Sequence, residues 1–228
     1  MGMLLPDEEP EAGPWREIPI LELVGHLRRA AGAPAGRPVV VAVDGRSASG
    51  KSTLAARLHA AVPRSAMVST DDIAWHHSFF DWGDLLSTGV LEPVRRDEPV
   101  SYRPPAWDER GRAGAVQVPG GVELLLVEGV GAGRRALAPL VDVVVWVQAD
   151  VQEAERRGLA RDLATDDHGG PEHVLAFWHE WQAQERPFLA DERPWDRASV
   201  IVAGTSPPPC EDGHVAVAPP VGARDASG

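Results

Sequence analysis

The strongest constraint on the fold is an eight-residue run, Gly-Arg-Ser-Ala-Ser-Gly-Lys-Ser at positions 45–52, which matches the phosphate-loop pattern G-x-x-x-x-G-K-[ST] at every fixed position. It follows Val39–Asp44, an apolar and β-branched run typical of a buried parallel strand. It leads into residues 52–61, a helix-forming run with apolar residues at three- and four-residue spacing. In this order, the loop N–H groups and the positive end of the helix dipole converge on a phosphate. The run and its context therefore favour a nucleoside-triphosphate site over a chance match.

Lysine usage supports the same prediction. Lys51 is the only lysine among the 22 lysine and arginine residues of the chain. A compact ammonium on a flexible stem suits phosphate oxygens in a narrow loop, whereas the planar fork of arginine is too wide for that slot. We predict that one continuous stretch binds the nucleotide, with Ser52 offering its hydroxyl to Mg²⁺: Gly45, Arg46, Ser47, Ala48, Ser49, Gly50, Lys51, Ser52 and Thr53.

Size and charge restrict the class of protein. With 228 residues, one domain is expected. The net charge of −12 argues against a nucleic-acid or anionic-membrane partner, because both require a basic face. A single cysteine, Cys210, allows no intrachain disulfide, and no apolar run reaches the length of a membrane span. We expect a cytoplasmic protein that acts on a small molecule, with a homo-oligomer left open.

Strand-like and helix-like stretches alternate along the chain. Five strands are expected at residues 39–44, 65–69, 122–127, 141–147 and 199–203, and helices at residues 20–33, 52–61, 84–94, 136–140, 151–164 and 171–189. This alternation predicts an α/β fold of the three-layer P-loop NTPase type, with a mainly parallel five-stranded sheet. Residues 15–204 would form the domain. Composition predicts flexible segments at residues 1–14, which are acidic and proline-rich, and at residues 205–228, which are rich in proline and glycine.

Acidic residues follow the predicted strands at the edge where ligands bind in such sheets. Asp71, Glu128 and Asp150 all lie at or just beyond a strand's carboxyl end. Ser52 together with Asp71 or Glu128 offers the oxygen ligands that Mg²⁺ prefers. Asp71 and Asp72 are candidates for the base that takes the acceptor's proton, but an Asp-Asp pair after a strand is equally typical of a turn or a helix cap.

Basic and aromatic residues lie on the two later helices. Arg157 and Arg161 share a helix face with four-residue spacing and could close over a triphosphate. The alternative is a solvated face, with Arg156 included, that pairs with acidic neighbours on the same helix, namely Glu153, Glu155 and Asp162. Three aromatic residues of the helix predicted at residues 171–189 are interpreted as core: Phe177, Trp178 and Trp181. His76 and His77, which follow the second predicted strand, are interpreted as loop residues.

Several classes of nucleotide-binding protein can be excluded. A guanine-specificity motif of the Asn-Lys-x-Asp type needs a second lysine, which the chain lacks. The chain also has no Leu-Ser-Gly-Gly-Gln-like signature of a transporter ATPase, and its small size and acidity argue against a helicase. A small-molecule kinase remains.

Five segments in this order resemble the uridine kinase family of P-loop nucleoside kinases, especially its divergent actinobacterial-type members. They are the phosphate loop, residues 70–73 (Thr-Asp-Asp-Ile), 80–82 (Phe-Asp-Trp), 127–129 (Val-Glu-Gly) and 156–162 (Arg-Arg-Gly-Leu-Ala-Arg-Asp). The resemblance extends from about residue 39 to residue 203. It implies Asp71 as catalytic base and Mg²⁺-linked carboxylate, Asp81 as ligand of ribose hydroxyls, Glu128 as Mg²⁺ ligand, and Arg157 and Arg161 on the phosphates.

The resemblance weakens where a base would be recognised. Ile73-Ala74 replaces the family's Phe-Tyr. Tyr102 fits the position of a base-stacking Tyr-Asp-Phe element, but Arg103-Pro104 follows it and the usual downstream His is missing. Trp107 and Asp108 are the candidates to substitute for that element. The expected function is an ATP- and Mg²⁺-dependent kinase of a hydroxyl on a nucleoside-like molecule. The alternatives are a kinase of another alcohol, such as an antibiotic or a sugar, or a nucleotide-binding regulatory protein without transfer.

Overall fold

The computed structural model describes residues 2–32, 34–165, 170–205 and 210–221. Its strands are β1 (Arg16–Pro19), β2 (Val39–Asp44), β3 (Ser65–Ser69), β4 (Val100–Tyr102), β5 (Val116–Val118), β6 (Leu124–Glu128), β7 (Val143–Gln148), β8 (Val200–Ala203) and β9 (His214–Ala218). Its α-helices are α1 (Ile20–Ala30), α2 (Lys51–Ala61), α3 (Thr70–Ala74), α4 (Gly83–Leu86), α5 (Glu92–Arg95), α6 (Pro105–Glu109), α7 (Val151–Thr165) and α8 (Pro171–Glu192). A π-helical turn, Ser87–Leu91, joins α4 to α5, and a 3₁₀ turn, Arg135–Leu137, stands where the sequence predicts a short helix.

The main sheet has seven strands in the order β1-β9-β8-β7-β2-β6-β3. The five strands from β8 to β3 are parallel, whereas β9 and β1 run antiparallel at one edge. The α/β prediction and its mainly parallel sheet are confirmed, but the predicted count of five strands is too low. The two further strands are short, and each is recognisable only through its partner far along the chain, as in the pairing of Arg16 with Val217.

Side chains of the central strands alternate between two apolar layers. Val39, Val41 and Val43 of β2 face the layer formed with α1 and α2. Val40 and Ala42 face the opposite layer, to which the segments between β3 and β6 and the helix α8 contribute. Because both faces are covered, β2 is a continuous apolar run rather than an alternating one. The result is a three-layer fold whose phosphate loop emerges from the centre of the sheet.

Residues 2–14, here called the N-terminal strap, pack across the end of β7. Glu9 is 3% exposed and accepts hydrogen bonds from Trp146 Nε1 at 2.7 Å and Gln148 Nε2 at 3.0 Å. It also forms an ion pair with Arg46 of the phosphate loop, and Ala12 N–H donates to Gln148 Oε1 at 2.8 Å. This packing differs from the flexibility predicted for the segment. The strap's partners on β7 lie more than a hundred residues away, so composition alone could not indicate them.

The strap leads to the first prediction. Glu9→Ala leaves the buried Arg46 guanidinium without its carboxylate, so we expect the free energy of unfolding to fall by about 3–5 kcal/mol. Glu8→Ala, at an exposed neighbouring carboxylate, should change it by less than about 0.5 kcal/mol. Urea unfolding of both variants checks this, and equal effects of the two substitutions would contradict it.

The C-terminal segment also belongs to the domain in part. Strand β9 pairs with β1 and β8, and the carbonyl oxygen of its first residue accepts a hydrogen bond from Arg57 at 2.7 Å. The boundary predicted at residue 204 therefore falls too early, because a strand of five residues follows it. Residues 206–209 and 222–228 of the predicted tail lie outside the described residues. In the described ranges, no helix combines the length and the apolar character needed to cross a membrane.

Candidate active site

The phosphate loop has the backbone geometry of an anion cradle. Gly50 has φ +100°, which favours glycine, and α2 begins at the next residue without a side-chain cap. The first N–H groups of α2 are therefore available to a ligand. Lys51 is 9% exposed, and its Nζ lies 3.5 Å from the carbonyl oxygen of Arg46. Gly204, after β8, packs so closely on the loop that a Cβ there would lie 1.8 Å from the Ser49 carbonyl oxygen.

Ser52 and Glu128 meet beside this loop. Glu128 ends β6, which pairs with β2 on one side and β3 on the other, and its Oε1 accepts a hydrogen bond from Ser52 Oγ at 2.9 Å. Burial raises the pKa of Glu128, the Lys51 ammonium and the Ser52 bond oppose the rise, and the Asp71 carboxylate adds to it. The Ser52 hydroxyl and the Glu128 carboxylate lie next to a lysine, and Asp71 is near enough to act on Glu128. These groups offer the oxygen donors that Mg²⁺ prefers.

The structure separates the two aspartates that the sequence leaves equal. Asp72 forms an ion pair with Arg112 at 2.5 Å, and its carbonyl oxygen accepts a hydrogen bond from Trp107 Nε1 at 2.8 Å. Asp71 lies in the first turn of α3, where its backbone N–H donates to Ser69 Oγ at 3.2 Å. The Asp72 carboxylate is therefore held by Arg112. Asp71 is exposed and lines a neighbouring cavity.

A cavity of about 610 Å³ opens beside Asp71. We call it the aromatic cavity, because its walls include the rings of Trp75, His76, His77, Phe79, Trp82, Phe177 and Trp181. The two histidines thus lie next to the site, in agreement with their interpretation as loop residues. Trp178 is 3% exposed and packs over Gly158 of α7, in agreement with its interpretation as core. Phe177 and Trp181 are partly buried and line the cavity. Trp181 also packs against the core, so the core interpretation holds in part for Trp181 and not for Phe177.

The three residues predicted to bind substrate are not among those that line this cavity. Asp81 is exposed, and its backbone N–H donates to Ser78 Oγ at 3.1 Å. Tyr102 packs against Gly89 in the small β4–β5 layer. Trp107 is 4% exposed, and the Arg112 guanidinium lies 3.7 Å from its ring centroid. None of these three side chains lines the aromatic cavity.

The arginines of α7 have mixed surroundings. Arg156 is exposed and pairs with Glu153 at 2.7 Å, as expected for a solvated face. Arg157 also pairs with Glu153, at 2.9 Å, but it donates to the carbonyl oxygen of Gly204 at 2.8 Å, next to the phosphate loop. Arg161 pairs with Asp162 at 2.7 Å, and its charge acts on Glu128. Arg157 and Arg161 therefore lie near the site, whereas the side-chain bonds of Arg156 within the described residues are to Glu153.

Asp44 is a residue of the site that sequence reasoning missed. Its carboxylate is fully buried and accepts backbone N–H bonds from Gly45 at 2.7 Å and from Gly131 and Gly133 at 2.8 Å each. Burial raises the pKa of Asp44 to about 6, and the three N–H bonds and the Lys51 charge oppose the rise. Asp44 thus joins the phosphate loop to the loop that follows Glu128. An acidic residue at the end of an otherwise apolar strand is the signal that could have found it.

Asp44 leads to the second prediction. Its pKa is raised from 3.8 to about 6 on folding, so its protonation stabilises the fold below about pH 4, and this contribution is lost as the pH rises through about 6. An asparagine in its place cannot titrate. Relative to Asp44→Asn, the wild-type protein should lose up to roughly 3 kcal/mol of unfolding free energy between about pH 4 and pH 7. Urea unfolding of both proteins without nucleotide measures this difference, and parallel pH profiles would contradict it.

Three solved structures illustrate what this chain is similar to. The chain is 19% identical to a candidate fructose transport system kinase from Silicibacter sp. TM1040, covering 79% of this chain and 96% of that one, with a TM-score of 0.56. It is 12% identical to the YGR205w protein, and the match covers 81% of this chain and 91% of that one, with a TM-score of 0.52. A protein of Bacillus stearothermophilus described as a possible uridine kinase is 17% identical, and the match covers 79% of this chain and 98% of that one, with a TM-score of 0.46. No family profile and no curated protein sequence matches the chain.

These likenesses concern the fold. The TM-scores of the Silicibacter protein and the YGR205w protein show that the chain shares the fold of these two structures. Identities below 20% do not extend the likeness to a substrate. They also give no support for placing the chain on an actinobacterial branch of nucleoside kinases.

Proposed function

We propose that this protein transfers the γ-phosphate of ATP to a hydroxyl group of a small, nucleoside-like molecule, with Mg²⁺ as cofactor. The observation that carries the proposal is the position of Asp71, which lines the aromatic cavity and also acts electrostatically on Glu128 beside the phosphate loop. One carboxylate is thus shared by an acceptor-sized cavity and a phosphate and metal site. A cavity of about 610 Å³ lies within the usual range for small-molecule sites.

The phosphate side of the reaction depends on the loop and its neighbours. Lys51 and the free N–H groups at the start of α2 would bind the phosphate oxygens. Ser52 and Glu128, with Asp71 nearby, would hold Mg²⁺, which supplies charge neutralisation on the phosphates when bound. Arg161 and Arg157 would add positive charge above the transferred group, since both already lie near the loop.

Asp71 would act as the base in the aromatic cavity. As the acceptor oxygen bonds to the γ-phosphorus, the hydroxyl proton passes to the Asp71 carboxylate, the bond from the γ-phosphorus to the β–γ bridging oxygen breaks, and ADP leaves with that electron pair. Asp71 is suited to this role because, within the described ranges, no ion pair holds its carboxylate, whereas Asp72 is paired with Arg112.

The cavity walls also bear on the choice of acceptor. Aromatic rings suit a flat or apolar ligand body, which supports a nucleoside-like acceptor. One observation favours the second candidate, a non-nucleoside alcohol: Asp81, Tyr102 and Trp107, the residues implied by the nucleoside kinase resemblance, do not line the cavity. The name of the Silicibacter protein makes sugars a natural group to include. The proposal also includes a cytoplasmic location, which the single cysteine supports. It includes no nucleic-acid or membrane partner, which the net charge of −12 supports.

An acceptor panel tests the proposal. ADP release would be measured with ATP, Mg²⁺ and one acceptor at a time from three groups: nucleosides, free sugars, and alcohols that carry an aromatic ring. We expect a nucleoside or another ring-bearing alcohol to give a kcat/KM at least roughly fivefold above free sugars, because stacking on the cavity walls contributes about 1 kcal/mol or more. Clear ATP binding without ADP release for the whole panel would instead favour a regulatory protein without transfer.

A further inference from the structure

A buried carboxylate on α8 holds the phosphate loop from outside the nucleotide site. Glu185 is 4% exposed, and its Oε1 accepts a hydrogen bond from the backbone N–H of Ser47 at 2.7 Å. Throughout the described part of the chain, no ion pair includes Glu185. A charged group removed from water depends on the few bonds it makes, so this contact strongly determines where the helix and the loop lie relative to each other.

The same helix forms a wall of the aromatic cavity. Phe177, Trp181 and Gln184 line the cavity, and Glu185 follows Gln184 and lies one helical turn beyond Trp181. Trp181 packs against two rings of the loop after α3, with centroid distances of 5.1 Å to Phe79 and 5.2 Å to Phe80. Displacement of α8 at the cavity would therefore move the carboxylate that holds Ser47.

Two other buried carboxylates contact this part of the loop, but neither lies on an element that lines the aromatic cavity. Glu9 pairs with Arg46, the residue before Ser47, but it belongs to the N-terminal strap and does not line the aromatic cavity. Asp44 bonds to Gly45 from β2 within the sheet, and it reaches the cavity wall indirectly, through Gly131, the neighbour of Val130. Of the three carboxylates that hold the consecutive residues 45–47, only Glu185 lies on an element that also forms the cavity wall.

We infer that Glu185 is a positioning residue through which the aromatic cavity and the phosphate loop influence each other. A ligand that orders Trp181 and Phe177 would thereby fix the loop at Ser47, and a bound nucleotide would in turn order the cavity wall. The kinetic consequence, coupling between acceptor and ATP, rests on the proposed phosphotransfer. The structural link itself does not, because it concerns the protein without ligands.

Hydrogen exchange at the Ser47 amide tests the link directly and without any nucleotide. Glu185→Ala should speed this exchange by at least roughly tenfold, since a hydrogen bond to a charged acceptor is lost. Glu185→Gln should restore most of the protection, because its side-chain carbonyl oxygen can still accept the bond. Trp181→Ala should speed exchange severalfold in the wild-type background and have no further effect in the Glu185→Ala background. Glu180→Ala, at an exposed carboxylate of the same helix, serves as the control and should change nothing.

Two results would overturn the inference. One is unchanged exchange at Ser47 in Glu185→Ala, or a Glu185→Gln variant as unprotected as Glu185→Ala. The other is strict additivity of the Trp181 and Glu185 substitutions, because independent effects would mean that α8 does not transmit one to the other. Binding of a fluorescent ADP analogue to the wild-type protein is measured separately. Lack of binding would count against the proposed function, whereas the exchange results alone decide this link.

Discussion

Asp71→Asn should lower the rate of phosphate transfer by roughly a hundredfold to ten-thousandfold, the range usual for removing a general base. The amide is nearly isosteric with the carboxylate but cannot take the acceptor proton. ATP binding should be largely retained, because Asp71 is exposed and its bond to Ser69 Oγ comes from the backbone N–H, which the substitution leaves in place. Initial rates of ADP release and equilibrium binding of ATP measure the two quantities separately.

Asp72→Asn is the matched control, with the opposite expected pattern. It weakens the pair with Arg112, a partly exposed contact at 2.5 Å, and should cost no more than about 1 kcal/mol of unfolding free energy. Its rate of ADP release should stay within a few-fold of the wild-type rate. Full activity in Asp71→Asn, or equal losses in both variants, would remove Asp71 as the base.

Lys51→Ala should reduce ATP turnover by roughly a hundredfold to a thousandfold, since it removes the only lysine ammonium of the chain from the phosphate site. Lys51→Arg should not restore it. Lys51 is 9% exposed, and its Nζ lies 3.5 Å from the Arg46 carbonyl oxygen. The wider guanidinium of arginine would not fit in this confined space. ATP titrations and initial rates of both variants measure these effects.

Arg156→Ala provides the control for Lys51. Its side chain is 70% exposed, and its ion pair within the described ranges is with Glu153 of the same helix, so its removal should change turnover by less than about twofold. An unchanged ATP titration together with an unchanged rate in Lys51→Ala would contradict the assignment of the nucleotide site.

The parts of the fold that the sequence predicts well are those formed by neighbouring residues. Strand β2, the phosphate loop and α2 follow one another without interruption, so periodicity and a motif suffice to predict them. Strands β1 and β9 are different, because each is four or five residues long and is stabilised by a partner at the other end of the chain. The strap shows the same limit, since Glu9 bonds with Trp146 across 137 residues.

The candidate site shows which distinctions sequence cannot make. Asp71 and Asp72 are neighbours of identical chemistry, and their surroundings differ through Arg112, 40 residues after Asp72, and through the cavity that Asp71 lines. Helical periodicity groups the three aromatic residues of α8 on one helix but does not say which rings pack and which line a cavity. Asp44 looks like the last residue of a strand until the N–H groups of the loop after β6 are found to donate to it. In each case, the decisive partner comes from another element.

Phosphate transfer itself is best tested by phosphorus-31 NMR of the protein with ATP, Mg²⁺ and the pooled acceptor panel, alongside Asp71→Asn. We predict that ADP and a new phosphate monoester appear in equal amounts, and that neither accumulates with the variant. ATP that binds but is not consumed would contradict phosphate transfer as the function. So would release of inorganic phosphate alone at a rate that Asp71→Asn does not change.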